Sequence, residues 1–294
     1  MVLEDLIKVR EARRNPFIMF FLSILLSSIG IIVAYATFPA SASVLSIAFV
    51  TVGMMPILYH IFLVEEGEEA KTPGCCTTFL ERHFDLILIY SFIFIGLIVS
   101  YSFWYVFLPE EVRGSVFEEQ EKAVAGIQYL KAELTGNVSQ APSMACSKDA
   151  FCWFGFILEN NVKVLFLALM MSFVYGVGAI FLIAWNASVI GVVIGKDALS
   201  VIAMYSGLGP FSLVASYVHG LVNAIGLVPH GVPELLGYFV GAIAGGIISV
   251  AVTKGKHKTN EFEIILKDVA ILLLIAFLLL VLGALIEAYL IILS

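Results

Sequence analysis

The sequence predicts an all-α fold: a polytopic transmembrane helical bundle of about seven spans, with broken or re-entrant helices within 187–229. Three observations carry this. Of 294 residues, 61% are hydrophobic and 13% charged, with a mean hydropathy of +1.01, whereas a soluble domain is about 45–50% apolar and about 25% charged. Apolar runs long enough to cross ~30 Å of hydrocarbon, about 20 residues each, recur at 16–37, 42–64, 85–108, 158–184, 233–252 and 268–293. The basic residues fall in short clusters between these runs and form no basic stripe, and the net charge is −7, so nucleic acid is excluded as a partner and the lipid bilayer is expected.

Taken in order, the first run follows "KVREARRNP" and has no small-residue cleavage site before the next run, so it reads as a retained signal anchor. Lys and Arg in short loops set orientation. Lys8, Arg10, Arg13 and Arg14 place the N-terminus in the cytoplasm, beneath the cell membrane, and the second run returns the chain there. The segment "EEGEEAKTPGCCTTFLERH" is therefore a cytoplasmic loop in which the adjacent Cys75 and Cys76 are expected to stay reduced.

The third run leads out to an external segment, 109–157. There Val124, Ile127, Leu130 and Leu134 recur three or four apart among Glu118, Glu119, Glu121, Lys122, Lys131 and Glu133. That spacing predicts one amphipathic surface helix over 115–134. Asn137-Val138-Ser139 fits the glycosylation sequon. Cys146 and Cys152 lie in the same oxidising compartment, where they would close a small disulfide loop. Neither cysteine pair has CxxC zinc spacing, so no metal and no cofactor is expected.

The cluster "TKGKHKTN", with Lys254, Lys256, Lys258 and Lys267, belongs inside, so 233–252 runs inward and 268–293 outward. The region 187–229 must then cross an odd number of times. It is interrupted at Gly191, Gly195, "GKD" and "GLGP", and one full crossing at 210–229 behind broken or re-entrant pieces is the expectation. Small residues recur every fourth position at Ala168, Ser172 and Gly176, at Gly191 and Gly195, and at Gly237, Gly241 and Gly245. Such series let helix backbones approach closely in lipid. The first three runs lack them and read as lipid-facing periphery. The chain thus divides into an N-terminal hairpin with its acidic loop, 1–84, and a core, 85–294.

Ionisable groups at membrane depth are costly and point to function. With the orientation above, Asn160, Asn161 and Lys163 on the fourth run, His230 and Glu234 at the start of the sixth, and Glu287 near the end of the last all reach the outer level. They are read as one polar cluster, with His219, Asn223 and Asn186 as secondary members. A purely structural reading stands beside this: Pro233 suits a first helical turn, and Glu234 complements the dipole there.

"ENNVKVLFLALMMSFVYGVGAIFLIAWNASVIGVVIG", "VPHGVPELLGYFVGAIAGG" and "LGALIEAYL", in this order and spacing, resemble the stage II sporulation protein M family. Asn160-Asn161, the HGxxE of His230, Gly231 and Glu234, and the IEAY around Glu287 carry the match over 85–294; Asn186-Ala187 stands where the family has Asn-Gly. The resemblance implies a membrane protein without a catalytic domain. In sporulating bacteria such proteins act with external peptidoglycan-degrading partners during engulfment, as a membrane organiser.

Three functions follow as expectations. A non-enzymatic scaffold of an envelope complex, with an external or membrane protein partner or a second copy of the chain, fits the resemblance and the external helix. A transporter or channel fits the polar cluster beside broken helices. An intramembrane metalloenzyme using His219, His230, Glu234 and Glu287 is the third, although the HxxxE here lacks the HExxH pattern of zinc hydrolases. No nucleophile triad, P-loop or dinucleotide fingerprint is present, so no catalytic residue is assigned.

Overall fold

The structure, a computed structural model, describes residues 15–69, 76–134, 149–175, 178–259 and 261–293. All regular structure among them is helical. The long helices are α1 (Phe17–Thr37), α2 (Ala42–Glu69), α3 (Cys76–Phe107), α6 (Ala150–Tyr175), α7 (Ala179–Ser200), α9 (Val228–Thr253) and α10 (Glu261–Leu293). Shorter helices α4 (Glu110–Val116) and α5 (Glu118–Leu134) follow α3, and α8 (Ser212–Asn223) lies between α7 and α9. The described residues hold 7 stretches long and apolar enough to cross a membrane. The polytopic all-α bundle read from composition is thus the observed architecture. The N-terminal basic cluster, Cys75, the Asn137 sequon, Cys146 and Gly176 lie outside the described residues.

Two features of the C-terminal half differ from the sequence reading. The run 158–184 is divided between α6 and α7, because helix α6 begins earlier, at Ala150, and ends at Tyr175. The full crossing next to it is α7, which runs unbroken through Gly191 and "GKD". These glycines are contact points. A Cβ on Gly191 would lie 2.8 Å from Tyr101 Cβ and 2.9 Å from the Ser102 amide nitrogen, and one on Gly195 would enter the Tyr105 ring. They bring α7 against α3.

The expected crossing at 210–229 is absent for a simple reason of length. Helix α8 has 12 residues, about 18 Å at 1.5 Å per residue, against ~30 Å of hydrocarbon. It forms a hairpin with the preceding 3-10 helix, Ile202–Phe211. The chain turns at Gly209, where φ is 56°, followed by Pro210; a left-handed residue here suits only glycine. Tyr205 Oη and His219 Nδ1, 2.8 Å apart, join the two arms. Asn223 Nδ2 donates to Asp197 Oδ2 at 2.9 Å, and Gly220 lies against Ile194 O, so the hairpin stays on the C-terminal half of α7.

The third of the first three runs is also more embedded than a lipid-facing periphery. Leu86, Ile89, Tyr90, Ile93, Leu97 and Tyr101 of α3 are fully buried, and α3 packs on α1 and α7. The α1–α3 contact is made by small residues four apart, Ser23 and Ser27 on α1 and Gly96 and Ser100 on α3. Ser27 and Ser100 hydroxyls are 2.7 Å apart, Trp104 Nε1 donates to Ser28 Oγ at 2.9 Å, and Gly96 abuts Ser23 and the Phe20 carbonyl. Such hydroxyl contacts satisfy polar groups that lipid cannot. Beyond α3, Val116, Phe117, Gln120 and Val124 are buried, and Tyr105 Oη donates to Glu121 Oε1 at 2.7 Å, which fastens the start of α5 to the bundle.

The small-residue face of α9 holds the core together. A Cβ on Gly245 would sit 2.6 Å from Leu169 O and 2.7 Å from Ser172 Cβ of α6, and one on Gly237 would sit 2.8 Å from Leu280 of α10. Overpacking at such a contact costs about 1–3 kcal/mol. Gly245→Ala is therefore expected to lower the unfolding temperature in detergent. Gly155→Ala, where an added methyl meets nothing within 4 Å, should leave it unchanged; equal effects would contradict this packing.

A candidate ligand site between α6 and α7

Helices α6 and α7 are consecutive, yet they pack on different partners. Helix α6 lies on α9 and α10, whereas α7 lies on α3 and α8. Between them is a cavity of about 450 Å³, floored by α9 and bounded at one end by α10. An open cleft of this size, lined by polar side chains within an apolar bundle, is a feature to explain.

The polar residues of the sequence meet at this cavity. Asn160, Asn161, His230, Glu234 and Glu287 all line it, and Asn186 borders it from α7. Asn161 is the centre of the arrangement. It lies about three turns into α6 and is 4% exposed. Its Nδ2 donates to Glu234 Oε1 at 2.7 Å, and its Oδ1 accepts from Tyr238 Oη, also at 2.7 Å. The directions are mutually consistent: a phenol donates to the amide oxygen, leaving the amide nitrogen to donate to the carboxylate. His230, Glu234 and Tyr238 follow one another at four-residue intervals on α9, so they share one helical face.

Close backbone approach sets these side chains in place. Gly283 of α10 faces the Glu234 side chain and the His230 carbonyl, so a methyl there would press on both. On the α6 side, Trp153 and Ile157 are buried against Ala284 and Ala288, which fixes the N-terminal half of α6 on the last turns of α10 and so beside Glu287. Asn160, next to Asn161 in sequence, is exposed at the cavity mouth.

Three of the residues grouped by sequence lie elsewhere. Lys163 is two positions from Asn161 and so on another face of α6; its Nζ meets Glu159 Oε1 at 2.7 Å, both side chains well exposed. His219 is bound to Tyr205 within the hairpin, and Asn223 to Asp197. Helix phase carries Lys163, and the hairpin carries His219 and Asn223, away from the cavity. Asn186 donates to Leu182 O at 2.8 Å, within its own helix.

Two residues of the site were missed in the sequence. Tyr238 was legible as the next member of the row His230, Glu234, Tyr238. Trp153 has only its one- and two-turn spacing to Ile157 and Asn160 to mark it. Among the described residues no set of 3 His, Cys, Asp or Glu comes together as a metal site. Cys152 is disulfide-bonded.

In comparisons with known proteins, the stage II sporulation protein M family matches residues 86–290. The chain is also 32% identical to the uncharacterized protein MJ0793 of Methanocaldococcus jannaschii over 139 residues, which is 45% of this chain and 67% of that protein. No solved structure matches it. The family match covers every cavity-lining residue except Ile291 and begins after the α1–α2 hairpin. A membrane-embedded helical bundle with this match over most of its length is a member of the stage II sporulation protein M family.

Proposed function

We propose that this membrane protein binds a small ligand in the cavity between α6 and α7 and carries it into or across the bilayer, acting as a transporter. One observation carries the reading: the polar cluster borders an open volume of about 450 Å³, within the range of about 300–1,000 Å³ usual for ligand pockets. Asn161, Glu234 and Tyr238 close on one another and fasten α6 to α9, whereas Asn160 stays exposed at the cavity mouth and Glu287 borders the same open volume. The hairpin over 202–227 supports the same reading, since its Leu227 borders the cavity. Interrupted helices beside a polar site are common in transporters. With the N-terminus in the cytoplasm, as the basic clusters favour, the site belongs to the outer half of the membrane.

Purified protein in proteoliposomes is expected to pass one member of a panel of inorganic cations, protons, small amines and amine-headed lipids above the rate of empty vesicles. Glu287→Gln should reduce that flux while leaving the unfolding temperature close to wild type. No flux across the panel would count against transport. Asn161→Ala strips hydrogen bonds from Glu234 and Tyr238 together. It should cost about 1–2 kcal/mol of stability, given roughly 0.6 and at most about 1.7 kcal/mol for such bonds in membranes, and should abolish flux as well.

The scaffold reading keeps one observation of its own. Near the start of α5, Glu118, Glu119 and Lys122 form an exposed charged face, with Lys122 Nζ at 2.7 and 2.8 Å from the two carboxylates. Those carboxylates hold the Lys122 ammonium above its usual pKa. The same helix is anchored to the bundle through Glu121. If this face docks an external envelope protein, reversing the charges of Glu118 and Glu119 should lose that protein from crosslinked pull-downs. An unchanged set of partners would rule the face out.

A further inference from the structure

We propose that the ligand is a membrane lipid whose headgroup ends in a protonated amine, admitted sideways between α6 and α7. This rests on the cavity being a ligand site and goes beyond it by naming the ligand's chemistry and route.

The route follows from the rim. Phe156 of α6, Val193 of α7 and Leu227 are each 37% exposed, apolar and at the cavity edge. A rim of this chemistry at membrane depth faces acyl chains. Asn160, Asn161, His230, Glu234 and Glu287 line the same cavity as these apolar rim residues, so a headgroup sits among the polar side chains while its chain passes the rim into the bilayer. The water-sized gap beyond, bordered by Asn186 and Tyr238 as well as Val164 and Leu235, holds no part of the chain.

The headgroup follows from charge. Among the residues bordering the cavity are two carboxylates and one imidazole, and no Lys or Arg. Glu234 and Glu287 are half-buried in the bundle, where their charge favours a cationic ligand, and an amine adds N–H donors for their oxygens. An anionic headgroup would meet like charge. The exposed Asn160 at the mouth offers amide donors to the phosphate that joins an amine headgroup to its lipid.

Trp153, 1% exposed and bordering the cavity, supplies the readout. With Trp104 and Trp185 changed to Phe, the full chain is reconstituted in phosphatidylcholine vesicles. These contain a graded fraction of lipid brominated on one acyl chain, bearing either an ethanolamine or a glycerol headgroup. The ethanolamine lipid is expected to quench Trp153 at about tenfold lower mole fraction, a preference equivalent to ~1.4 kcal/mol, and Glu234→Gln or Glu287→Gln should erase the preference. Equal quenching by the two lipids in the otherwise wild-type chain would overturn the amine assignment. If neither lipid quenches but soluble ethanolamine shifts Trp153 emission saturably, the lipid route is overturned and the ligand site stands. If nothing alters the emission, both fail.

Discussion

A single buried amide organises the core. Asn161 can be held inside a membrane helix only if both ends of its side chain are satisfied, because lipid offers no replacement partner. Glu234 and Tyr238 supply those partners from α9. Hydrogen bonds of this kind are individually modest in membranes, so their main consequence is positional: they fix which faces of α6 and α9 meet, and at what height. The bonds in turn depend on glycine. Gly241 and Gly245 let α9 lie directly on Leu165, Leu169 and Ser172 of α6, and Gly283 leaves room for Glu234 beside α10.

The cavity is a consequence of where each helix finds its partner. Helix α6 is drawn to α9 and α10 by those contacts. Helix α7 is drawn to α3, where Gly191 and Gly195 receive Tyr101 and Tyr105. Two helices adjacent in sequence therefore part from each other, and the space between them keeps the polar end of α9 uncovered. The hairpin of 202–227 fills the remaining length between α7 and α9 without crossing, which brings Leu227 and then His230 to the cavity edge.

Much of this was legible in the residues. Apolar run lengths mark the bundle, and the Lys and Arg of the short loops assign Asn161, His230, Glu234 and Glu287 to one level. What depth cannot supply is helix phase, so Lys163 was grouped with Asn161 although it points elsewhere, and His219 was grouped with the cluster although Tyr205 holds it in the hairpin. Small-residue spacing marks a close approach without naming the partner. For that reason Gly191 and Gly195 looked like breaks, when they are the points at which α3 presses on a continuous helix. The burial of α3 is marked in the sequence only by short pairs of small residues four apart, Ser23 and Ser27 on α1 and Gly96 and Ser100 on α3, which are less conspicuous than a glycine series.

The central claim is that the space between α6 and α7 is open to a ligand while the outer faces of the bundle are dry. Accessibility of single cysteines tests this most directly, with Cys75 and Cys76 replaced by Ser and the protein held in phosphatidylcholine vesicles. Ile190, a half-buried cavity wall near the middle of α7, is compared with Leu282 of α10, which is 49% exposed to the surroundings. A small water-soluble thiol reagent is expected to modify Ile190→Cys and to leave Leu282→Cys untouched, the reverse of their exposure. If Ile190→Cys is as inert as Leu282→Cys, the cavity is closed to water and the proposed site is contradicted.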